Sequence, residues 1–348
     1  MRLREAMAVS DIPETASVAR LLEPGDLRFE TEPLAWAKGR GEILARTLWS
    51  AISPGTELAA FEGLPPLRPG RVYPRLMGYC NVAQVLAVGN DVADIAPGVR
   101  IVTWQSHRSA FVCKSADILA VLAPTADARA ATATYLFHLG LDAVQKAGLA
   151  LGHRVAVLGL GALGLGAVAM AAKAGAHVTA ISRRPAMTAS AHAMGASAFG
   201  DGADPTALAT ATGLGGFDCV VTTSNRWDDW QLALQLARRG GTIAVLGFPG
   251  RGAPAPDFNP LESRYFYDKQ LRIMACGQPV ERDLPPDEVR FTLKRNMPAI
   301  AEAIAADALP TAPLLTDEFP AARLADAYRA LAARDGARVT AVLAWPPA

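Results

Sequence analysis

The sequence predicts an α/β protein in which a β-rich domain precedes a doubly wound parallel-sheet domain. The first third of the chain consists of short apolar or alternating runs separated by Pro and Gly clusters such as GLPPLRPG, which is typical of an irregular β-rich domain. From His153 onward, HRVAVLGLGALGLGAVAMAAKAGAHVTAISRR gives a strand, a Gly-rich turn, a helix and a second strand. Strands and helices continue to alternate after it, which indicates a parallel sheet with helices on both faces.

The individual elements follow from local patterns. The predicted strands of the first third are EILARTLWSAI, VAQVLAVG, RIVTWQS and AFVCKS. The predicted strands of the middle are RVAVL, HVTAI, FDCVVTTS and TIAVLGFPG. The segment DDWQLALQLARRGG is a predicted helix that we expect to end at its glycines. After Lys269 come the apolar run LRIMACG, the amphipathic stretches PDEVRFTLKRNMPAIAEAIAADAL and PAARLADAYRALAAR, and a final strand RVTAVLAW.

Composition narrows the class of protein. A chain of 348 residues is long enough for two domains, and 51% hydrophobic residues without a long apolar run predict a soluble globular protein. The formal net charge of +1, with scattered charges, argues against nucleic acid and membrane surfaces and favours a small-molecule partner. Four widely spaced cysteines and an N-terminus without an apolar signal segment predict a cytoplasmic location.

A dinucleotide-binding turn is predicted at Gly159, Gly161 and Gly164, which form G-x-G-x-x-G directly after the strand RVAVL. The first glycine permits a tight turn, the second lets the backbone approach a pyrophosphate, and the third lets helix and strand pack closely. The helix that follows directs free N–H groups toward the phosphates. The alternative is a glycine-rich turn that serves packing alone.

The residues after the next strand favour NADP(H) over NAD(H). An NAD site places Asp or Glu near this point to bind the ribose hydroxyls, whereas this chain has Ser182, Arg183 and Arg184. A hydroxyl and two guanidinium groups would accept a 2′-phosphate that a carboxylate would repel. The alternative is that the two arginines are solvated surface charges.

The whole chain resembles the medium-chain dehydrogenase/reductase superfamily, which includes alcohol dehydrogenases and quinone reductases. The resemblance is carried by AISPGTELAAFEG, PRLMGYCNVAQVLAVG, PGVRIV, VAVLGLGALGLGAVAMAAKAGAHVTAIS, RRGGTIAVLGFPG and KQLRIMACG. The motifs SPGTE and GYC are most similar to those of the branch of bacteriochlorophyllide dehydrogenase-like proteins. The resemblance implies a GroES-like catalytic domain over residues 1–135 with 276–348, a Rossmann domain over 136–275, and a homodimer.

At the positions of the catalytic zinc ligands in such relatives, the sequence departs from the pattern. Pro54 replaces the Cys, Tyr79 the His, Cys80 the Glu and, in a looser alignment, Thr134 the last ligand. Pro has no metal-binding side chain, and Tyr and Thr are poor zinc ligands. The segment RIVTWQSHRSAFVCKSADIL also lacks the four-cysteine lobe of structural zinc. We therefore expect no metal site, and hydride transfer that does not depend on zinc.

Three residues are candidates to replace the zinc ion as a source of hydrogen bonds or protons. Tyr79 offers a phenolic proton, Thr56 matches the hydroxyl that relays protons in zinc enzymes, and His138 matches a position near the nicotinamide. Each has a structural alternative. Tyr79 could be a core aromatic, Thr56 could cap the helix that begins ELAAF, and His138 could serve packing.

The resemblance also assigns further cofactor contacts. Thr222 ends a strand at a place where ligands bind in parallel sheets, Gly247 and Phe248 match the loop that faces the nicotinamide, and Arg338 matches an arginine that reaches the cofactor phosphates. Trp49, Trp104, Tyr79 and Phe137 lie in segments that face the cleft between the domains in relatives.

These inferences predict an NADPH-dependent reductase of a C=O, C=N or activated C=C bond on a bulky, mostly apolar metabolite. Two alternatives stay open. One is a catalytically inactive NADPH-binding protein, since the superfamily includes lens crystallins. The other is an alcohol dehydrogenase working in the oxidising direction, for which a base must remove the hydroxyl proton.

Overall fold

A computed structural model describes residues 12–66, 70, 72–282 and 284–346 and confirms the α/β fold. The strands are β1 (Thr15–Glu23), β2 (Asp26–Pro33), β3 (Glu42–Ala51), β4 (Arg75–Leu76), β5 (Cys80–Val88), β6 (Arg100–Thr103), β7 (Ala110–Lys114), β8 (Ala120–Val121), β9 (Arg154–Leu158), β10 (His177–Ile181), β11 (Ala198–Gly200), β12 (Phe217–Thr222), β13 (Ala237–Val245), β14 (Arg272–Ala275), β15 (Leu315–Pro320) and β16 (Thr340–Ala344). The helices are α1 (Pro54–Phe61), α2 (Ala128–Ala131), α3 (Thr134–Ala147), α4 (Ala162–Lys173), α5 (Thr188–Ala193), α6 (Pro205–Ala211), α7 (Trp227–Leu236), α8 (Ser263–Phe266), α9 (Leu293–Ala305) and α10 (Leu324–Ala332).

The middle of the chain forms a six-stranded sheet in the order β11-β10-β9-β12-β13-β14. All of its pairs are parallel, and the apolar residues of β9 and β12 are almost completely buried, as expected for strands covered by helices on both faces. The chain order reverses between β9 and β12. Ligands of such sheets bind at this switch point, beyond the carboxyl ends of the strands.

The β-rich part of the chain forms two further sheets. A three-stranded sheet has the order β2-β1-β4, and a seven-stranded sheet has the order β15-β16-β3-β5-β6-β8, with β7 also paired to β3. Strand β16 therefore lies between β3 and β15, and the end of the chain completes a sheet that residues near the start began. The predicted domain boundaries at residues 135 and 276 stay a prediction, although every strand of the six-stranded parallel sheet lies between Arg154 and Ala275.

One predicted boundary was wrong. Helix α7 ends at Leu236, and ARRGG belongs to β13 rather than to the helix. The Lys269 ammonium group explains this end, because its Nζ donates to the carbonyls of Leu234, Gln235 and Ala237 at 2.8–2.9 Å. The amphipathic stretch from Pro286 is helical only from Leu293, since Thr292 is extended and serves as the N-cap of α9.

Helix α3 connects the two kinds of sheet. It packs against α4 and β13 on one side and against β5 on the other. The hydrophobic core beside it includes Leu160 and Leu246 of the parallel-sheet part, and Tyr79 and Tyr135 pack against the same core. Side chains near the start of α3 are therefore close to both parts of the molecule. No helix in the described ranges combines the length and apolar character needed to cross a bilayer.

Candidate active site

The Gly-rich turn between β9 and α4 is shaped by close backbone contacts. Gly159 has φ +85°, a conformation that L-residues rarely adopt. A Cβ added at Gly164 would lie 1.8 Å from the Gly159 carbonyl oxygen, so this position requires glycine for packing alone. A Cβ at Gly161 would meet no atom within 4 Å. Gly161 is the N-cap of α4 and has no side chain to bond the N–H groups of the first turn.

The open space at Gly161 is what a pyrophosphate needs. The free N–H groups at the start of α4 point to this side, and a helix N-terminus favours an anion. Packing alone explains Gly164 but leaves Gly161 unexplained. The geometry of the turn therefore fits a dinucleotide better than a turn that serves packing only.

Two alanine substitutions separate these roles. Gly161 has φ −80° and ψ −166°, which alanine adopts, so we expect Gly161→Ala to fold with unchanged stability and to lose NADPH affinity about 10-fold or more. Gly164→Ala should instead lower the free energy of unfolding by about 1–3 kcal/mol because the added methyl group collides with backbone. Urea unfolding and calorimetric titration with NADPH check both variants. A Gly161→Ala protein that binds NADPH normally would contradict the assignment.

The switch point of the sheet carries an unpartnered hydroxyl. Thr222, at the end of β12, is 1% exposed, and its Oγ1 has no hydrogen-bond partner among the described residues. Buried polar groups of this kind are usually satisfied, so the atom fits a ligand that enters the crevice. Nearby, the N–H of Gly247 donates to the Thr222 carbonyl at 3.0 Å, and the N–H of Phe248 donates to Asn225 Oδ1 at 3.1 Å. The Phe248 ring is largely exposed at this edge.

The residues predicted to bind a 2′-phosphate lie together after β10. The Ser182 Oγ accepts from the Arg184 N–H at 3.2 Å, and within the described structure its own proton is not donated to any protein acceptor. Arg183 is half exposed and pairs with Asp229 at 2.8 Å. Arg184 Nη2 donates to the carbonyls of Gly336 and Arg338 at 2.6 and 3.1 Å, and burial lowers the pKa of its guanidinium. Two cations, each already bonded to a protein group, and a hydroxyl without a protein acceptor in the described structure therefore follow the end of this strand.

Arg338 is tied to protein groups in the structure. Its Nε pairs with Asp317 at 2.9 Å, and its Nη1 donates to the Ala330 carbonyl at 3.0 Å. Its link to the predicted phosphate site runs through its carbonyl, which accepts from Arg184. The contact of its guanidinium group with a cofactor stays a prediction.

Tyr79 and Ser53 form a short hydrogen bond beside the core. The Tyr79 hydroxyl donates to Ser53 Oγ at 2.6 Å. Burial raises the pKa of the Tyr79 phenol far above its ordinary range, with nearby Cys80 and Glu57 adding to the rise, while hydrogen bonds to Ser53 and Thr56 oppose it. The phenol is therefore fully protonated at neutral pH and can serve as a donor.

Thr56 does not cap α1. The helix begins at Pro54 with Ser53 as its N-cap, so Thr56 lies within the first turn. This excludes the capping alternative and leaves Thr56 near the Tyr79 hydroxyl, where it opposes the rise of the phenol's pKa. Sequence reasoning missed Ser53, although its place just before a Pro-Gly helix start was a usable signal.

Tyr79 belongs to an aromatic cluster that also contains Trp104, Tyr135 and His138. Tyr135 meets Tyr79 edge-on at 5.5 Å and Trp104 edge-on at 5.9 Å between ring centroids, and it stacks on His138 at 6.0 Å. Trp104 is 37% exposed, so the cluster reaches the surface. Phe137, in contrast, is completely buried in the core, and its expected place in the cleft was wrong because that face of α3 packs against the parallel-sheet part.

His138 is buried and neutral. Burial lowers its pKa to about 4, so the imidazolium needed for general acid work is absent at neutral pH. Its Nε2 lies 3.3 Å from Asn296 Nδ2, which places the ring hydrogen on Nδ1, and Nδ1 has no partner in the described structure. The proposed acid role therefore gives way to that of a neutral hydrogen-bond donor.

A buried polar network lies next to this site and is connected to it through Ser53. Glu57 Oε1 accepts from the Ser53 N–H at 2.6 Å, and Oε2 lies 2.9 Å from His107 Nε2 and accepts from the Tyr328 hydroxyl at 2.6 Å. His107 Nδ1 in turn lies 2.9 Å from Ser50 Oγ. These side chains are at most 3% exposed, and sequence reasoning did not identify the network.

The network also fixes the position of Tyr79. A Cβ at Gly78 would lie 2.6 Å from the His107 ring, so the backbone before Tyr79 rests directly on the imidazole. Gly78 has φ +85°, which likewise favours glycine. The glycine of the GYC motif is therefore explained by contact with His107.

The residues at the zinc positions do not fit a zinc ion. Pro54 opens α1, Tyr79 is bonded to Ser53, and Thr134 Oγ1 donates to the Ala131 carbonyl at 2.6 Å. Cys80 is 2% exposed, and burial raises the pKa of its thiol, so it stays protonated. In the described part of the chain, three or more His, Cys, Asp or Glu side chains nowhere gather to hold a metal. This donor set offers one thiol where zinc needs three or four good ligands.

Comparison with known proteins links the chain to dehydrogenases. Residues 162–289 match the family described as zinc-binding dehydrogenase. The alcohol dehydrogenase notN of Aspergillus sp. is 25% identical over 324 residues, which cover 84% of this chain and 91% of that protein.

Solved structures show the same fold at low identity. L-idonate 5-dehydrogenase from Escherichia coli superposes with a TM-score of 0.80 at 15% identity, covering 95% of this chain and 98% of that one. For 2R,3R-butanediol dehydrogenase from Bacillus subtilis the TM-score is 0.78 at 18% identity, and the match covers 94% of this chain and 99% of that one. A protein from Sinorhizobium meliloti is described as a zinc-binding dehydrogenase bound to NADP. It superposes with a TM-score of 0.76 at 20% identity, covering 95% of this chain and 100% of that one. The GroES-like and Rossmann arrangement of those structures is thus the arrangement of this chain.

Proposed function

Because the fold is that of the medium-chain dehydrogenases/reductases and residues 162–289 match the zinc-binding dehydrogenase family, we propose that this protein is an NADP(H)-dependent oxidoreductase that works without catalytic zinc. Its substrate is a bulky, mostly apolar small molecule with a C=O, C=N or activated C=C bond. The aromatic cluster of Tyr79, Trp104, Tyr135 and His138 supports an apolar substrate.

One observation supports the proposal: a protonated tyrosine is hydrogen-bonded to a serine, at the position that the sequence resemblance assigns to a zinc ligand. The Tyr79 hydroxyl lies 2.6 Å from Ser53 Oγ, and its raised pKa keeps the proton on the phenol. When the Ser53 hydroxyl turns to donate to the Tyr79 oxygen, the Tyr79 proton is released toward a substrate atom. The pair can thereby stabilise a developing anion and deliver a proton.

The protein groups divide the remaining tasks between them. When bound, the nicotinamide supplies or accepts the hydride. The N–H groups at the start of α4 bind the pyrophosphate, and Ser182 with Arg183 and Arg184 binds a 2′-phosphate. Thr222 Oγ1, which lacks a protein partner in the described structure, holds the cofactor at the switch point.

The preference for NADP(H) is tested by Arg183→Asp. We expect the substitution to weaken NADPH binding about 10-fold or more, because a carboxylate repels the 2′-phosphate and the neighbouring Asp229 adds to the repulsion. NADH affinity should change little. Calorimetric titration with each cofactor gives the ratio of NADPH affinity to NADH affinity. Arg28→Asp, at an exposed position of β2, is the control. A ratio equal to that of the unsubstituted protein would remove Arg183 from the site.

The activity itself is tested with the purified protein and NADPH on a panel of bulky enones, cyclic imines and aryl ketones. Metal analysis and a chelator accompany the assay. Turnover that continues in chelator, with less than stoichiometric zinc, is the expected result. Tight NADPH binding without turnover on any substrate would favour the non-catalytic alternative, and stoichiometric zinc that a chelator removes together with activity would contradict the proposal. Reduction of NADP⁺ by the corresponding alcohols tests the oxidising direction.

A further inference from the structure

Two partly buried arginine side chains have no anionic partner within the described structure. Arg75 is on β4, and its Nε is buried and makes no hydrogen bond within the described structure. Arg251 lies in the loop after β13, and burial together with the charge of Arg75 lowers the pKa of its guanidinium. Among the ion pairs of the described residues, neither arginine takes part in one.

The pair lies where the loop after β13 meets the end of α1. Arg251 Nε donates to the Pro65 carbonyl at 3.0 Å. A Cβ at Gly252 would lie 3.6 Å from Pro65 Cδ, so the two segments are in contact. The loop that carries Arg251 also contains Gly247 and Phe248, the residues predicted to face the nicotinamide.

Arg75 is also close to the network below Tyr79. Burial raises the pKa of the Tyr328 hydroxyl above its ordinary value, Glu57 adds to the rise, and Arg75 opposes it. Hydrogen bonds connect this hydroxyl to Tyr79: it donates to Glu57, which accepts from the Ser53 N–H, and Ser53 Oγ accepts from Tyr79. An anion held by Arg75 would therefore be near the residue that we place at the reacting bond.

Glu57 does not serve as the hydrogen-bonded partner of Arg75. Its Oε1 accepts from Ser53, and its Oε2 is used by His107 and Tyr328. Holding two guanidinium groups close together in a partly buried place is unfavourable unless an anion joins them. The planar donor forks of arginine match the oxygens of carboxylate and phosphate groups.

We propose that Arg75 and Arg251 bind a carboxylate or phosphate group of the substrate, which is then an amphipathic molecule with an apolar body and an anionic end. The inference rests on the proposed function, because it places that anionic end beside Tyr79. The phosphates of the dinucleotide are assigned elsewhere, to the start of α4 and to the segment 182–184, so the two arginines are available to a second anion.

Binding is tested on the full-length protein saturated with NADPH, by calorimetric titration with benzoate, phenyl phosphate and the neutral benzamide. We expect at least one anion to bind about 10-fold or more tightly than benzamide, with an affinity that falls as KCl is added. Whichever anion binds more tightly, benzoate or phenyl phosphate, identifies the group as carboxylate or phosphate.

Arg251→Met is the main variant, because this loop residue has one hydrogen bond and its loss should leave the fold intact. It should reduce the anion affinity about 10-fold or more, Arg251→Lys should retain part of it, and Arg75→Met should act in the same direction. Arg40→Met is the control, since its side chain is 94% exposed and lies on another loop. NADPH affinity should stay unchanged in Arg251→Met.

Three results would overturn the inference: benzamide binding as tightly as both anions, Arg251→Met leaving anion affinity unchanged, or Arg251→Met weakening NADPH as much as the anion. Failure of the proposed function is recognised separately. If the anions bind through Arg251 but neither the panel substrates nor 4-carboxybenzaldehyde turn over, the oxidoreductase proposal fails and the anion site stands. The anion site can also fail alone. This is shown if turnover occurs but the ratio of kcat/KM for 4-carboxybenzaldehyde to kcat/KM for its methyl ester is the same in Arg251→Met as in the unsubstituted protein.

Discussion

Tyr79→Phe is expected to lower kcat about 100-fold or more while NADPH binds with unchanged affinity. The substitution keeps the ring and its edge contact with Tyr135 but removes the only protic group that the side chain offers. General acid catalysis and hydrogen bonding to a developing anion contribute roughly 10²- to 10⁴-fold in enzymes, and the loss should appear in the chemical step. Steady-state kinetics with the best panel substrate and titration with NADPH give the two quantities.

Two further variants make this result specific. Ser53→Ala should lower kcat less than Tyr79→Phe, because the phenol keeps its proton but loses the hydroxyl that can donate to its oxygen as that proton leaves. Tyr267→Phe removes a phenol whose residue is 70% exposed and should leave kcat unchanged. Full activity of Tyr79→Phe would show that the tyrosine is only a core aromatic.

Glu57→Gln is expected to lower the free energy of unfolding by about 3–5 kcal/mol. Three donors, the Ser53 N–H, His107 Nε2 and the Tyr328 hydroxyl, converge on the carboxylate, which is 3% exposed. An amide presents one NH₂ group toward donors that need an acceptor, so at least one buried donor loses its partner. Equilibrium urea unfolding followed by tryptophan fluorescence measures the change.

The control for Glu57 is Glu318→Gln. Glu318 pairs with Arg129 at 2.9 Å, but its side chain is 49% exposed, and ion pairs of this kind contribute about 1 kcal/mol or less. The two variants make the same chemical change in different surroundings. Equal destabilisation by both would contradict the role given to the buried network.

Features set by local backbone rules were predictable from the sequence. The Gly-rich turn was found because its glycines answer to local backbone geometry: Gly159 has a positive φ, and a Cβ at Gly164 would collide with the Gly159 carbonyl. The alternation of strands and helices is likewise local. The end of α7 was missed because it depends on Lys269, more than thirty residues away. Helical periodicity carries no sign of such a distant contact.

The residues that support the site were mostly beyond sequence reasoning. Tyr79 was found through the resemblance, at a position where a ligand was expected. Its supporting network could not be found this way, because Glu57 meets His107 across 50 positions and Tyr328 across 271 positions of the chain. The general acid role of His138 was predicted from its match to a position near the nicotinamide and from the titration range of histidine. The burial that lowers its pKa was not visible in the sequence.

The insertion of β16 beside β3 has a consequence for synthesis on the ribosome. Strand β3 and Glu57 emerge early, yet Tyr328 and the strand that pairs with β3 are translated some 270 to 290 residues later. The parallel sheet, whose strands are contiguous in the chain, can assemble while translation continues. Until then the N-terminal sheet has an unpaired edge on β3, and the Glu57 carboxylate lacks its Tyr328 donor. Chaperones or ribosome-bound factors therefore have their longest opportunity to act on that segment.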